Sequence, residues 1–95
     1  MTYELEFKKT ALKEWKKLGS TIREQFKKKL TEVLEGPHIP NAKLSGSNNL
    51  YKIKLRQAGY RLVYEVQDEK VTITVISVGK RDKGQVYKIA QHRIS

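Results

Sequence analysis

A chain of 95 residues, 38% of them hydrophobic, suffices for one modest core, so residues 1–95 are expected to form a single domain. There is no cysteine, which excludes a disulfide framework, a thiolate metal site and a cysteine nucleophile; the two histidines, His38 and His92, lack metal-ligand spacing. Twenty Lys and Arg against ten Asp and Glu give a net charge of +10, which points to a polyanion (nucleic acid, a ribosome, an anionic membrane surface or an acidic protein) or to solubility through charge alone.

The N-terminal "MTYELEFKK" lacks the apolar stretch of a signal peptide, and no apolar run approaches the length of a membrane span. A cytoplasmic location without a membrane partner is therefore expected. "TYELEF" alternates, with Tyr3, Leu5 and Phe7 on one side, and predicts a short first strand. In "KKTALKEWKKLG" the residues Leu12, Trp15 and Leu18 fall on one helical face, with Ala11 beside them and Gly19 as the stop. A second helix opens at "STIRE", where Thr21 and Glu24 have capping-box spacing and Ser20 competes as N-cap. Its apolar stripe is Ile22, Phe26, Leu30, Val33 and Leu34, and Gly36 in a left-handed conformation with Pro37 is expected to end it.

"PHIPNAKLSGSNN" has the composition of a loop. Three strands follow, at 50–56, 60–66 and 71–78, joined by the hairpin-length connections "QAG" and "QDEK". The remainder, "GKRDKGQVYKIAQHRIS", suits a final helix capped by Asp82 or Gln85, with Val86, Ile89, Ala90 and Ile94 facing inward. The predicted order β-α-α-β-β-β-α is an α+β domain: an antiparallel sheet with an N-terminal helical hairpin on one face, a short C-terminal helix, and the other face open.

That open face is where charge collects. Strand side chains alternate, so Tyr51, Ile53 and Leu55 share the core side while Lys52, Lys54 and Arg56 share the other. In the next strand Tyr60, Leu62, Tyr64 and Val66 face the core, leaving Arg61 with Val63 and Glu65 outside. Lys52, Lys54, Arg61 and Arg81 can thus converge from three strands beside Tyr87. Each also suits an ordinary exposed strand position, and Arg61 and Arg81 can pair with Glu65 or Asp82.

No His–carboxylate pair, carboxylate cluster suited to Mg²⁺ or P-loop accompanies these cations, so chemistry at this face must be done by the cations themselves, without metal or other cofactor. A lysine is a weak base at its free pKa of about 10.4, but neighbouring cations disfavour its charged form. Lys54, between Lys52, Arg56 and Arg61, is placed for that effect and can then take a proton from a ribose 2′-hydroxyl. Arginines can hold the phosphate and its transition-state charge, and Tyr87 can stack on a base or hydrogen-bond near the phosphate.

The segments "ALKEWKKLGSTIREQFKKKL", "YKIKLR", "GYRLVYEV" and "VISVGKR", with a tyrosine after them in the last helix, resemble the RelE-type toxins of bacterial toxin–antitoxin systems nearly end to end. The resemblance implies a ribosome-dependent endoribonuclease, an mRNA interferase that cuts mRNA in the A site of the 70S ribosome against ribosomal RNA, and so inhibits translation. It implies Lys54 as general base, Arg81 as general acid or leaving-group stabiliser, Lys52 and Arg61 as phosphate binders, and Tyr87 as a stacking platform. Lys43, Arg56 and Lys80, with Lys27 and Lys28 of the second helix, are the further expected RNA contacts. Close relatives carry an arginine where this chain has Ser45; Lys43 is placed to substitute in part. A cognate antitoxin is implied too, with operator DNA contacted only through it. Two rivals stand beside this reading: a non-catalytic toxin of the ParE type acting on DNA gyrase, and an RNA-binding accessory protein of the ribosome.

Overall fold

The computed structural model describes residues 2–44, 49–80 and 85–94. Among them the order is β1 (Glu4–Phe7), α1 (Lys9–Lys16), α2 (Ser20–Glu35), β2 (Leu50–Leu55), β3 (Tyr60–Gln67), β4 (Thr72–Lys80) and α3 (Gln85–Ile94), with 3-10 turns at Pro40–Ala42 and Asp68–Lys70. The α+β class and the element order agree with the sequence expectation. The sheet runs β1-β4-β3-β2 and is mixed rather than wholly antiparallel. β2, β3 and β4 form an antiparallel meander, whereas β1 lies parallel to β4, Glu4 opposite Thr72 and Phe7 opposite Val75. A parallel pair needs a long crossover, and the helices and meander between β1 and β4 supply it.

The helical hairpin covers one face. Ala11, Trp15, Leu18, Phe26, Leu30 and Val33 pack on Tyr51, Ile53, Leu55, Leu62, Tyr64, Val66, Ile73, Val75 and Val78. Trp15 is core, its ring between Phe7 (centroids 5.2 Å apart) and Phe26 (6.2 Å). Leu12 departs from the expected stripe and is 37% exposed, because Ala11 and Trp15 fill the inward arc of this short helix and Leu18 packs just after its end. Tyr64 is fully buried, stacks on Tyr51 and donates its hydroxyl to the Pro37 carbonyl at 3.0 Å. Burial pushes that phenol's pKa well above its usual value.

Helix ends differ from expectation. α2 has Gly19 as N-cap and no side-chain cap from Ser20 or Thr21; Glu24 instead meets Lys27 at 3.5 Å. Gly36 is extended (φ −158°), not left-handed, and Pro37 alone halts the helix. Left-handed φ appears at Gly59 (72°), in the β2–β3 turn, and at Val71 (50°), before β4.

The second face is not open throughout, contrary to the sequence reading. Leu50, Val63 and Ile76 are fully buried there, and α3 covers them with Val86 and Ala90. Three large aliphatic groups on one sheet face need such a cover. A β-bulge in β4 sets this up. Val63 pairs with Ser77 but Tyr64 pairs with Val75, so Ile76 is the extra residue. Without it, Ser77 and Gly79 would follow Ile73 and Val75 into the first core. With it, Ile76 and Ser77 both turn to the α3 side while Val78 returns to the first.

Candidate active site

Register builds the site. Lys54 lies directly opposite Arg61, and Arg61 opposite Gly79, one row across β2, β3 and β4; the next row is Lys52, Val63 and Ser77. Like charges opposed across strands cost about 0.2–1 kcal/mol, so the Lys54–Arg61 pair is a feature that sheet stability does not favour. The two cations border a cavity of about 260 Å³ with Leu55, Arg56, Gly59 and Tyr60. Its described lining residues include no carboxylate.

α3 brings the aromatic group. Ser77 donates its hydroxyl to the Val86 carbonyl at 2.8 Å, and a β-carbon at Gly79 would meet Val86 Cγ2 at 3.4 Å, so α3 packs directly over this part of β4. Tyr87, next along, accepts a hydrogen bond from Arg61 Nη1 at its hydroxyl, 2.7 Å away. Lys52 Nζ and Arg61 Cζ stand 5.7 and 5.6 Å from the Tyr87 ring centre, within cation–π range. Arg61 is therefore held by Tyr87 and not by Glu65, whose carboxylate accepts from Gln67 at 3.0 Å.

Lys52, Lys54, Arg61 and Tyr87 thus come together as the sequence implied. Arg81, Asp82 and Ser45 lie outside the described residues. Arg56 is exposed at the cavity rim. Lys43 is exposed and its backbone bridges to Tyr51 at the start of β2. Lys80 pairs with Tyr60 and so shares the side opposite Arg61. Lys27 lines a groove with Leu5, Phe7 and Trp15, near β1 at the far edge of the sheet, so it is not part of the cluster; Lys28 is exposed on α2. The helix lysine beside the site is Lys29, which sequence reasoning did not single out. It borders a 230 Å³ groove with Lys52, Lys54, Val33 and Ile39. Its spacing of four from Val33 was the available signal.

Away from the site, Asp68 accepts from the Tyr3 hydroxyl at 2.7 Å and meets His38 Nε2 at 2.9 Å. The Tyr3 and His38 hydrogen bonds hold the Asp68 carboxyl below its usual value, and the Asp68 contact raises the Tyr3 phenol. Among the described residues no group of three or more His, Asp and Glu could hold a metal ion, and no helix is long and apolar enough to cross a membrane.

Residues 5–84 match the family model described as the ParE toxin of type II toxin–antitoxin systems, parDE. The chain is 63% identical over 94 residues, 99% of each sequence, to the mRNA interferase toxin RelE of Escherichia coli strain K12, and 51% identical over the same span to a putative RelE-like toxin protein of E. coli. Among solved structures, a free mutant form of E. coli toxin RelE superposes with a TM-score of 0.92 at 61% identity, covering 100% of both chains. A chain of the intact E. coli RelBE toxin–antitoxin complex superposes with a TM-score of 0.82 at 64% identity, covering 85% of this chain and 99% of that one. The chain belongs to the RelE-type toxins of type II toxin–antitoxin systems.

Proposed function

We infer that this toxin is an endoribonuclease that cleaves mRNA, and that it does so in the ribosomal A site by attack of the substrate's own 2′-hydroxyl. The observation that carries the reading is the opposition of Lys54 and Arg61 across β2 and β3, with Arg61 fixed by the Tyr87 hydroxyl at 2.7 Å. It supports an unpaired anion, such as a phosphate, between them.

In the proposed reaction Lys54 takes the 2′-hydroxyl proton and the 2′-oxygen bonds to phosphorus. The bond from phosphorus to the 5′-oxygen breaks. Arg81 acts on that leaving oxygen, as general acid or by neutralising its charge. Lys52 and Arg61 hold the non-bridging oxygens, where fixed cations act on charge that builds up in the transition state. Tyr87 offers its ring to a base while its hydroxyl keeps Arg61 aimed. The products are a 2′,3′-cyclic phosphate and a 5′-hydroxyl. Without a strong acid–base pair, much of the rate comes from positioning, which the ribosome supplies.

A cognate antitoxin is the expected protein partner, supported by the relatives solved as toxin–antitoxin complexes, with operator DNA reached only through it. The scaffold also serves ParE-type toxins, the description borne by the family model; the Lys54–Arg61–Tyr87 arrangement favours RNA chemistry instead. The test is a cleavage assay on purified ribosomes, with end-group analysis and a single 2′-deoxy substitution at the cut position. The deoxy substrate is expected to resist. A 5′-phosphate on the downstream fragment, or normal cutting of the deoxy substrate, would overturn the mechanism.

A further inference from the structure

We propose that Glu14 and Arg93 are positioning residues for cleavage: their ion pair fastens the C-terminal end of α3 to β4 and so holds Tyr87 on Arg61. The proposal rests on the reading of Tyr87 and Arg61 given above.

β1 pairs with β4 only as far as Phe7 opposite Val75, with a final bond from Lys8 N–H to the Val75 carbonyl at 3.0 Å. Beyond that point β4 keeps β3 on one side, but among the described residues no strand continues on its β1 edge, and the backbone groups facing that edge need partners. Two side chains provide them. Arg93 Nη1 donates to the Ile76 carbonyl at 2.6 Å, and Glu14 Oε1 accepts from Val78 N–H at 3.3 Å. The same two side chains join each other through the two terminal guanidinium nitrogens, Nη1 to Oε1 at 3.0 Å and Nη2 to Oε2 at 3.2 Å. Their side chains are only 20% and 29% exposed, so water and salt reach the pair poorly. Lys8 Nζ adds a contact to the Arg93 carbonyl at 3.3 Å.

α3 is thereby pinned at two ends of one helix. Ser77 holds Val86 near its start, and Glu14 holds Arg93 near its finish. Tyr87 lies between the pins, one residue from the first and six from the second, about 9 Å along the axis. Val86 and Ala90 bury the helix against the sheet but are small and aliphatic, so they resist lift better than sliding or rotation. The fork between Arg93 and Glu14 is directional and resists both. A shift of about 1 Å in a positioning group costs on the order of a hundredfold in rate, and the 2.7 Å bond between Tyr87 and Arg61 has little tolerance for one.

The experiment is single-turnover cleavage of ribosome-bound mRNA by the full chain at saturating toxin, for Arg93→Met and Glu14→Gln, each alone and combined with Tyr87→Ala, with thermal unfolding of every variant. Arg93→Met is expected to slow cleavage roughly tenfold, less than the roughly hundredfold of a full 1 Å misplacement because Ser77 still holds the start of α3, with unchanged affinity for ribosomes. Arg93→Lys is expected to recover part of the rate. In the Tyr87→Ala background, Arg93→Met and Glu14→Gln are expected to change nothing further. Equal losses in both backgrounds, or wild-type rates for the single variants, would overturn the proposal while leaving the reading of Tyr87 intact. A wild-type rate for Tyr87→Ala would remove that reading and this proposal with it. Should Arg93→Met unfold at the assay temperature, Glu14→Gln, which keeps an acceptor for Val78 N–H, carries the same comparison.

Discussion

Replacing Tyr87 by Phe and by Ala separates two contributions that the structure places on one side chain. Tyr87→Phe removes only the hydroxyl that accepts from Arg61 at 2.7 Å and keeps the ring beneath Lys52 and Arg61. A hydrogen bond to a charged group contributes about 1.5–3 kcal/mol, and since water can partly replace the hydroxyl at this half-buried site, about 1–2 kcal/mol is expected here. If the bond serves to aim Arg61 at the phosphate, that loss appears in the transition state as a rate about 5- to 30-fold lower. Tyr87→Ala also removes two cation–π contacts of about 0.5–1 kcal/mol each, and is expected to slow cleavage by a similar factor again. The assay is single-turnover cleavage on ribosomes at saturating toxin, which separates rate from affinity. A Phe variant cutting as fast as wild type would refute the aiming role. Phe and Ala variants equally slow would refute any contribution of the ring.

Three further outcomes follow from other parts of the molecule. Val71 is β-branched at φ 50°, and left-handed backbone costs about 1–3 kcal/mol for such residues; Val71→Asn is expected to raise the urea midpoint, and a lower midpoint would show that Val71 packing outweighs the strain. The Asp68 carboxyl is held below its usual value of 3.8 by Tyr3 and His38, so its contribution to stability is present above that pH and is lost as pH falls through the folded pKa. Asp68→Asn should flatten the acid limb of stability against pH below about 3.8, and an unchanged limb would assign acid unfolding to other groups. Ribosome binding should weaken steeply with salt, each phosphate contact contributing roughly one unit to the log–log slope; a flat response in a pelleting assay would point to a protein target.

Local rules carried the fold a long way. Alternation alone placed Tyr51, Ile53 and Leu55 in one core and Lys52 and Lys54 outside it, and the structure agrees. What alternation cannot show is a pairing between distant segments, so the parallel partnership of Glu4–Phe7 with β4 was invisible. It also cannot show a bulge. The parity of Ser77 and Gly79 depends on Ile76 being skipped by β3, and "VTITVISV" has no breaker to announce it. Capping failed for a related reason. Ser20 and Thr21 have the right chemistry, but Gly19 takes the N-cap position in the tight link between α1 and α2. At the site, the four residues on strands and helix were legible because charge and period coincide there. The Arg61–Tyr87 bond and the role of Lys29 were not, since both depend on how α2 and α3 lie against the sheet.

The extra residue in β4 divides one strand into two inheritances. Upstream of Ile76, Thr72 to Val75 answers to β1 and the helical hairpin; downstream, Ser77 and Gly79 answer to α3 and the cations while Val78 returns to the hairpin core. Deleting Ile76 would leave both segments on their present faces, since Val75 and Ser77 already lie opposite the adjacent Tyr64 and Val63, and would remove only an aliphatic group that α3 covers. Keeping it places two adjacent side chains under α3, Ile76 as packing and Ser77 as the donor to Val86. One strand thereby serves two packed layers, and the shift of a single residue decides which of its side chains each layer receives.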